Sequence, residues 1–558
     1  MTPARSAINA PRLPWWKKLL FGLLTTALLL ALLEYGLSVC GVRPLLARRD
    51  PFVGFSGAVP HFQVRGELGR EPRMRTAYHK LGYLNDQSFA VHKPRSTFRI
   101  FCLGGSTTFG RPYNDATSFS GWLRTLLETA APDQDWEVVN AGGVSYAGYR
   151  VTALMEELAA YEPDLYIIYT GHNEFLEART YPQRRYRAPA TQWLTTAAMQ
   201  FRTASVIDEL WRSASSQPEL FELPEEVDTI LDHTVGPEAY ERDDAQRREI
   251  VAHFEWSLAR MADLAGASGA AVLFVRPACN LKDCSPFKSE LSASLNAARL
   301  QAWQQEFDNG IRMQQSGRRL EAAAAYEAAL AIDDRHAMLH YRLGNCLFAL
   351  GKYAEANAAL CRAVDEDVCP LRMTSDLDEA LKRVVSRTGV PVVDMQELLS
   401  QHCLAEFGHP VLGREYFLDH VHPTISGHGQ LAVALADRLR EERILPGTLR
   451  WSDADLAEVK RQVNEGVDDR LRARGEANLA RVLFWAGKVD EAGPLALKCH
   501  ETEDDPRILL IAGVYLHRQG ETRQALDLLR RARRMSPTDV RIEKALEAIG
   551  NNRPTSDT

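Results

Sequence analysis

Cysteine is scarce in this chain. Only nine of 558 residues are cysteine, an odd number scattered over a long sequence. That usage excludes the dense disulfide framework of a small secreted domain. Cys279 and Cys284, in the run CNLKDC, are close enough to bridge in an oxidising compartment, but they lack the C-x-x-C spacing of a zinc site. They read equally well as two unpaired small residues. No H-E-x-x-H motif occurs, and neither a metal nor a cofactor is called for. Excess charge of one sign is also missing. The 66 basic and 73 acidic residues leave a formal net charge of −7, which gives no reason to expect a nucleic-acid partner. The remainder is ordinary globular composition, 45% hydrophobic and 25% charged, with length for roughly three or four domains.

One long apolar run stands out. It is uncharged from Leu19 to Leu33, is interrupted by Glu34, and resumes to Val42. A membrane span needs about 20 largely apolar residues. Residues 19–42 therefore read as a transmembrane anchor, with Glu34 near the far interface and Trp15 and Trp16 in the interfacial aromatic belt. Arg5, Arg12, Lys17 and Lys18 precede the run; Arg43, Arg48 and Arg49 follow it. With the free N-terminus this small bias favours residues 1–18 in the cytoplasm. The bulk of the chain then lies outside it, in the periplasm if the cell is Gram-negative. A cleaved signal peptide is the competing reading. The run is long for one, and no clean A-x-A site follows it.

Beyond a linker at 43–74, strand-like runs at 98–103, 136–141, 164–170, 271–276 and 391–395 alternate with amphipathic stretches such as SFSGWLRTLLETA and YRVTALMEELAAY. This rhythm predicts an α/β domain, a parallel sheet covered by helices, over 75–300 and 371–445. Residues 178–240, rich in aromatic, Arg and Pro residues, form either a lid beside the site or a surface excursion. Residues 301–370 repeat themselves: Gly310, Gly317, Ala322 and Ala329 recur 34 positions later as Gly344, Gly351, Ala356 and Ala363. Small residues at that period resemble the tetratricopeptide (TPR) repeat, two helices per unit crossing closely. A second tract at 452–550 fits the same template through Gly487, Gly513, Gly520, Ala525, Ala532 and Pro537. Each tract holds two repeats, and such arrays bind protein partners on their concave faces. Residues 551–558 read as a disordered tail.

The chemistry sits where strands end. FRIFCLGGSTTFG runs a strand into Gly104, Gly105 and Ser106, and a serine there lies at the crevice edge where parallel sheets place ligands. In FLDHVHPTISGHG, Asp419 and His422 stand three apart on a turn before a helix. One loop can then hold a histidine that takes the serine proton and the acid that orients it. His420 and His428 read as surface or outlying neighbours. VVNAGGVSYAGYR and YTGHNEF also follow strands. Asn173 can offer a side-chain amide, and main-chain amides of Ser106 and the 142–146 loop can offer others, to an oxyanion. His172 reads as a loop cap in preference to a substrate contact.

These blocks together resemble the SGNH/GDSL hydrolase superfamily. GGSTTFG resembles its serine block, NAGG its glycine block, GHNE its G-x-N-D block and DHVH its D-x-x-H block, in family order. The resemblance spans 75–440 less the inserted repeats. It implies a three-layer α/β/α fold and metal-free ester or acyl hydrolysis. Ser106 would be the nucleophile, His422 the base and Asp419 its orienting acid. The oxyanion hole would be Ser106, Gly143 and Asn173. The chain departs from the family in reading Gly-Gly-Ser for Gly-Asp-Ser and Asn-Glu for Asn-Asp. Spacing from Asn140 does not select one amide, since Gly142, Gly143, Ser145 and Tyr146 all offer one; Gly143 is taken.

On this reading the chain is a membrane-anchored serine esterase or acyltransferase acting on an acylated small molecule, glycan, cell-wall component or lipid. The alternative is a repeat-based assembly scaffold with a vestigial hydrolase site. In a combined reading the repeats recruit a partner that presents the substrate. Deleting 452–550 would then spare turnover of a small acyl ester.

Overall fold

The computed structural model describes residues 14–42, 57–58, 60–66, 71–176, 201–214, 222–223, 237–502 and 505–551. They divide into two units, one made of 1–59 with 179–224, the other of 60–178 with 225–558.

In the first unit the helix Trp15–Val39 is long and apolar enough to cross a membrane. It begins four residues before the apolar run, so both tryptophans and both lysines lie in its first turn. Glu34 accepts hydrogen bonds from the main-chain N–H of Arg202 (2.9 Å) and Thr203 (2.8 Å). These are donors left open at the start of the helix Arg202–Ala214. The carboxylate expected at the lipid interface thus caps a second helix. Most of the 178–240 segment, including any lid, falls outside the described residues, as do 43–56 and 552–558.

The second unit is built on five parallel strands: β1 (Thr97–Gly104), β2 (Asp135–Gly142), β3 (Leu165–Tyr169), β4 (Ala271–Arg276) and β5 (Val392–Asp394). Their spatial order is β2-β1-β3-β4-β5. Ile100, Cys102, Ile167 and Leu273 point into one layer with the helices Phe119–Ala130, Met395–Phe407 and Ile425–Glu441. The alternating residues Phe101, Tyr166, Ile168 and Phe274 are buried too. Their side is covered by the helices Gly148–Leu158, Asp244–Ser268 and Ser375–Thr388, which pack on one another. Burial on both faces explains why the strands read as continuous apolar runs. The result is the expected three-layer α/β/α sandwich.

Part of the expected linker is strand. Phe62–Arg65, Arg73–Thr76 and Ser88–Ala90 form a small antiparallel sheet. Phe62 and Met74 are buried in it, and Glu157 holds the main-chain N–H groups of His61 and Phe62.

The inserted tract forms two helix pairs, Ala297–Gln315 with Arg319–Ile332 and Ala337–Ala349 with Tyr353–Asp365. Gly310 lies against the Tyr326 ring and Gly344 against Leu360, so each pair crosses where only hydrogen fits. The C-terminal tract likewise gives two pairs, Asp469–Trp485 with Val489–Cys499 and Pro506–Arg518 with Thr522–Met535, followed by the helix Val540–Asn551. The start of that tract belongs elsewhere. Asp453–Glu465 packs Val459 and Val463 into the sheet's core rather than into a repeat.

Candidate active site

The order of strands fixes where loops can converge. The chain leaves β1 for β2 on one side and β3 on the other, so a crevice opens between the carboxyl ends of β1 and β3. Ser106 follows β1 as the first residue of the short helix Ser106–Phe109, and Asn173 follows β3. The turn between strand and helix is tight. A Cβ at Gly104 would overlap the carbonyl oxygen of Tyr169, and one at Gly105 would lie 2.6 Å from Asn173 Nδ2. The departure to Gly-Gly-Ser therefore leaves room for the Asn173 amide.

The other edge is supplied by the loop before Ile425–Glu441. It is closed by Leu418 N–H donating to His422 O (2.8 Å) and Thr424 N–H donating to Tyr416 O (2.8 Å). Asn280 clamps it from outside, its amide donating to Asp419 O at 2.9 Å and its N–H to His420 O at 3.0 Å. Asp419 is fully buried, and its Oδ1 accepts the main-chain N–H groups of Val421 (2.9 Å) and His422 (2.8 Å). Its Oδ2 accepts His422 Nδ1 at 2.6 Å. His422 Nε2, thereby left as acceptor, lies 2.8 Å from Ser106 Oγ. The three residues singled out in two distant blocks thus meet in one hydrogen-bonded line.

Burial by itself would raise the Asp419 carboxyl. His422 and His420 beside it, with the hydrogen bonds from His422, outweigh that and hold it below the ordinary carboxylate range. His420 and His428 are buried rather than superficial. Burial lowers His420 to about 4, against the pull of Asp419, and His428 to about 3. His172 is likewise lowered to about 3 by burial, with His420 and His422 adding to the effect. Its Nδ1 accepts the N–H of Met373 at 3.2 Å. Near Ser106, therefore, three imidazoles are held neutral.

The donors on the crevice edge are unequal. Ser106 N–H starts a helix and has no intrahelical acceptor. Asn173 donates one amide hydrogen to Tyr146 O at 3.1 Å, which leaves its second. Gly143, however, donates to Gly104 O at 2.9 Å, so its amide is committed to holding the two strand ends together. Gly142 donates to Asn140 Oδ1 at 3.1 Å and Tyr146 to Gly143 O at 3.1 Å. Of the four amides offered by this loop, that leaves Ser145, whose positive φ of 63° turns it out of line with its neighbours. Glu174, the acid of the GHNE block, is buried and accepts Gly148 N–H at 2.9 Å, anchoring a helix start.

Two partners of the site lie outside the residues that the motifs point to. Asn280 lies inside CNLKDC, which drew notice only for its cysteines; Cys279 and Cys284 are free and buried. Asn478, from the helix Asp469–Trp485 of the C-terminal repeats, donates its amide to Asp419 Oδ2. Its signal was a polar residue between Ala477 and Leu479, both buried. Beside the acid-bearing loop, a cavity of about 690 Å³ is lined by Leu418, Thr424, Tyr113, Lys460 and Arg472; Ser106 and His422 do not line it.

The chain thus joins an α/β/α domain to helical repeats. Residues 307–367 match the family model described as Tetratricopeptide repeat. Among solved structures, the chain is similar to an acetylxylan esterase from Geobacillus stearothermophilus (12% identity over 65% of this chain and 99% of that one, TM-score 0.29). It is similar to an α/β hydrolase enzyme from the metagenome of Lake Arreo, Spain (11% identity, 62% and 96% covered, TM-score 0.27). A two-domain esterase active on acetylated mannans is also similar (13% identity, 64% and 51% covered, TM-score 0.29). No curated protein sequence matches the chain.

Proposed function

We propose that the chain is a serine esterase or acyltransferase that cleaves an acyl ester through a covalent acyl-enzyme. The supporting observation is the continuous line from Ser106 Oγ through His422 to Asp419, with contacts of 2.8 and 2.6 Å. Ser106 Oγ attacks the acyl carbonyl as His422 Nε2 takes its proton. Asp419 holds Nδ1–H and stabilises the imidazolium. The negative oxygen that forms is met by the N–H groups of Ser106 and Ser145 and by the Asn173 amide. Collapse expels the alcohol, which takes the proton from His422. Water or a second hydroxyl then attacks the acyl-serine by the same route. A fluorophosphonate probe tests the nucleophile: it should label the full chain and leave Ser106→Ala unlabelled. Equal labelling of both would remove Ser106 from the mechanism.

The apolar helix Trp15–Val39 supports an anchored enzyme with its hydrolase body across the membrane from residues 1–18. An acylated glycan, cell-wall component or lipid is the fitting substrate class there, and the repeats would hold a protein partner. Protease added to intact spheroplasts should digest the hydrolase body. Full protection would place it in the cytoplasm instead.

A further inference from the structure

Asn478 stands out among the residues around the site because it comes from a different structural module. The helix Asp469–Trp485 buries Ala477 and Ala480 within its own repeat. Asn478 lies between them in sequence and reaches the hydrolase, where it donates to the same Asp419 oxygen that holds His422 Nδ1. This contact is not isolated. Three turns of the same helix are docked on the sheet's carboxyl edge. Gly475 lies against the Tyr113 ring, where a Cβ would collide with it. Val482 and Trp485 pack with Leu176, Phe287 and Cys369. Trp485 meets Phe287 edge-on at 6.0 Å, and Phe287 in turn meets His420 at 5.3 Å. Ser285 Oγ donates to Glu491 at 2.9 Å on the next helix.

We propose that Asn478 is a positioning residue for the Asp419–His422 pair, so that the C-terminal repeats complete the hydrolase site when docked and weaken it when displaced. The inference rests on the serine-esterase reading and adds to it a means of control: whatever moves the repeats moves the fourth hydrogen bond to Asp419. It also reverses the expectation that removing 452–550 leaves small-ester turnover intact. The amide acts in two ways. It fixes the carboxylate plane in which Nδ1–H is held. It also draws charge from Oδ2, so that the carboxylate stabilises the imidazolium less than it otherwise would.

Loss of the donor therefore has a signature that a packing role does not. In Asn478→Leu, similar in size and without a donor, kcat should fall roughly tenfold with KM nearly unchanged, the equivalent of one charge-assisted hydrogen bond. The acidic limb of the kcat/KM profile should move up by about half a pH unit or more. Asn478→Asp keeps the shape and adds a negative charge, and should move the limb further in the same direction. The other groups facing this pair are His420 on the same loop, His172 after β3, Arg372, Cys284 and His428, and they are unaltered in both variants. Gly475→Leu, which wedges the helix off Tyr113, should reproduce the Asn478→Leu kinetics. All are measured in the full chain on a small acetyl ester, with thermal unfolding alongside. Should Asn478→Leu fail to fold, the isosteric Asn478→Asp carries the same test. A labelled wild type whose kcat and acidic limb stay put in the folded Asn478 variants overturns the coupling alone. A wild type that resists the fluorophosphonate as Ser106→Ala does overturns the esterase reading beneath it.

Discussion

Replacing Asp419 with asparagine exchanges one oxygen for an amino group and, given its neighbours, reverses a hydrogen bond. Oδ1 receives the main-chain N–H groups of Val421 and His422 at 2.9 and 2.8 Å. Neither donor can become an acceptor, so the asparagine carbonyl must take the Oδ1 position. Its amino group then sits where Oδ2 was, against His422 Nδ1 and the Asn478 amide. Asn478 can relieve its side by turning its own amide over. His422 can do so only by carrying its proton on Nε2. That nitrogen, 2.8 Å from Ser106 Oγ, then presents an N–H where a lone pair is needed. The general base is lost while every atom stays nearly in place. A wrong tautomer in such a triad costs about four orders of magnitude in kcat, or ~5.5 kcal/mol of transition-state stabilisation. The folding cost is smaller, about 1–3 kcal/mol for the altered buried hydrogen bonds. The assay is steady-state turnover of a small acetyl ester near pH 7.5 by the full chain, with thermal unfolding as the control. A loss of less than about tenfold would show that His422 does not depend on Asp419 for its tautomer, and the reasoning would fail.

Two further perturbations test the surroundings. His172, His420 and His428 are held neutral by burial, down to about 3, 4 and 3, whereas an unfolded chain protonates each near pH 6.5. The unfolded state therefore binds more protons below that pH. Stability is full above about 6.5 and is lost as pH falls toward 4, by about 1.4 kcal/mol per pH unit for each imidazole. Urea midpoints at pH 7 and pH 5 should differ accordingly, and a pH-independent midpoint would contradict the burial argument. Gly310→Ala drives a methyl group into the Tyr326 ring and should destabilise the inserted repeats by about 1–3 kcal/mol. An unshifted denaturation midpoint would mean that the two helices do not cross so closely.

What the sequence made legible, it made legible through local chemistry. Parallel strands end in loops on one edge, so Ser106 and Asn173 could be placed there before their distances were known, while the Asp419–His422 turn, which precedes a helix, was matched to Ser106 by residue type and spacing. The repeats were readable because small residues recur wherever helices cross, as at Gly310 and Gly344. What escaped was non-local. A main-chain donor has no side-chain signature, and whether Gly143 N–H is free depends on how the end of β2 pairs with Gly104. His420 and His428 read as surface or outlying neighbours, and what decides between the two is contact with Phe287 and Phe119 from other parts of the chain. Asp453–Glu465 was assigned to the repeats on position, yet its valines answer to the sheet. Asn478 obeys no repeat template, because its partner lies in another module.

The path of the chain carries a consequence for biosynthesis. His422 stands 316 residues beyond the serine it faces, with two complete helix pairs between them, and Asn478 follows 59 residues after Asp419. A ribosome releases β1, Ser106, β2 and β3 first, then the insertion, then His422, and the repeat that donates to Asp419 only afterwards. Throughout that interval the nascent chain presents a serine without a proton acceptor. On the serine-esterase reading, the site stays chemically silent until the segment through Asn478 has emerged and closed.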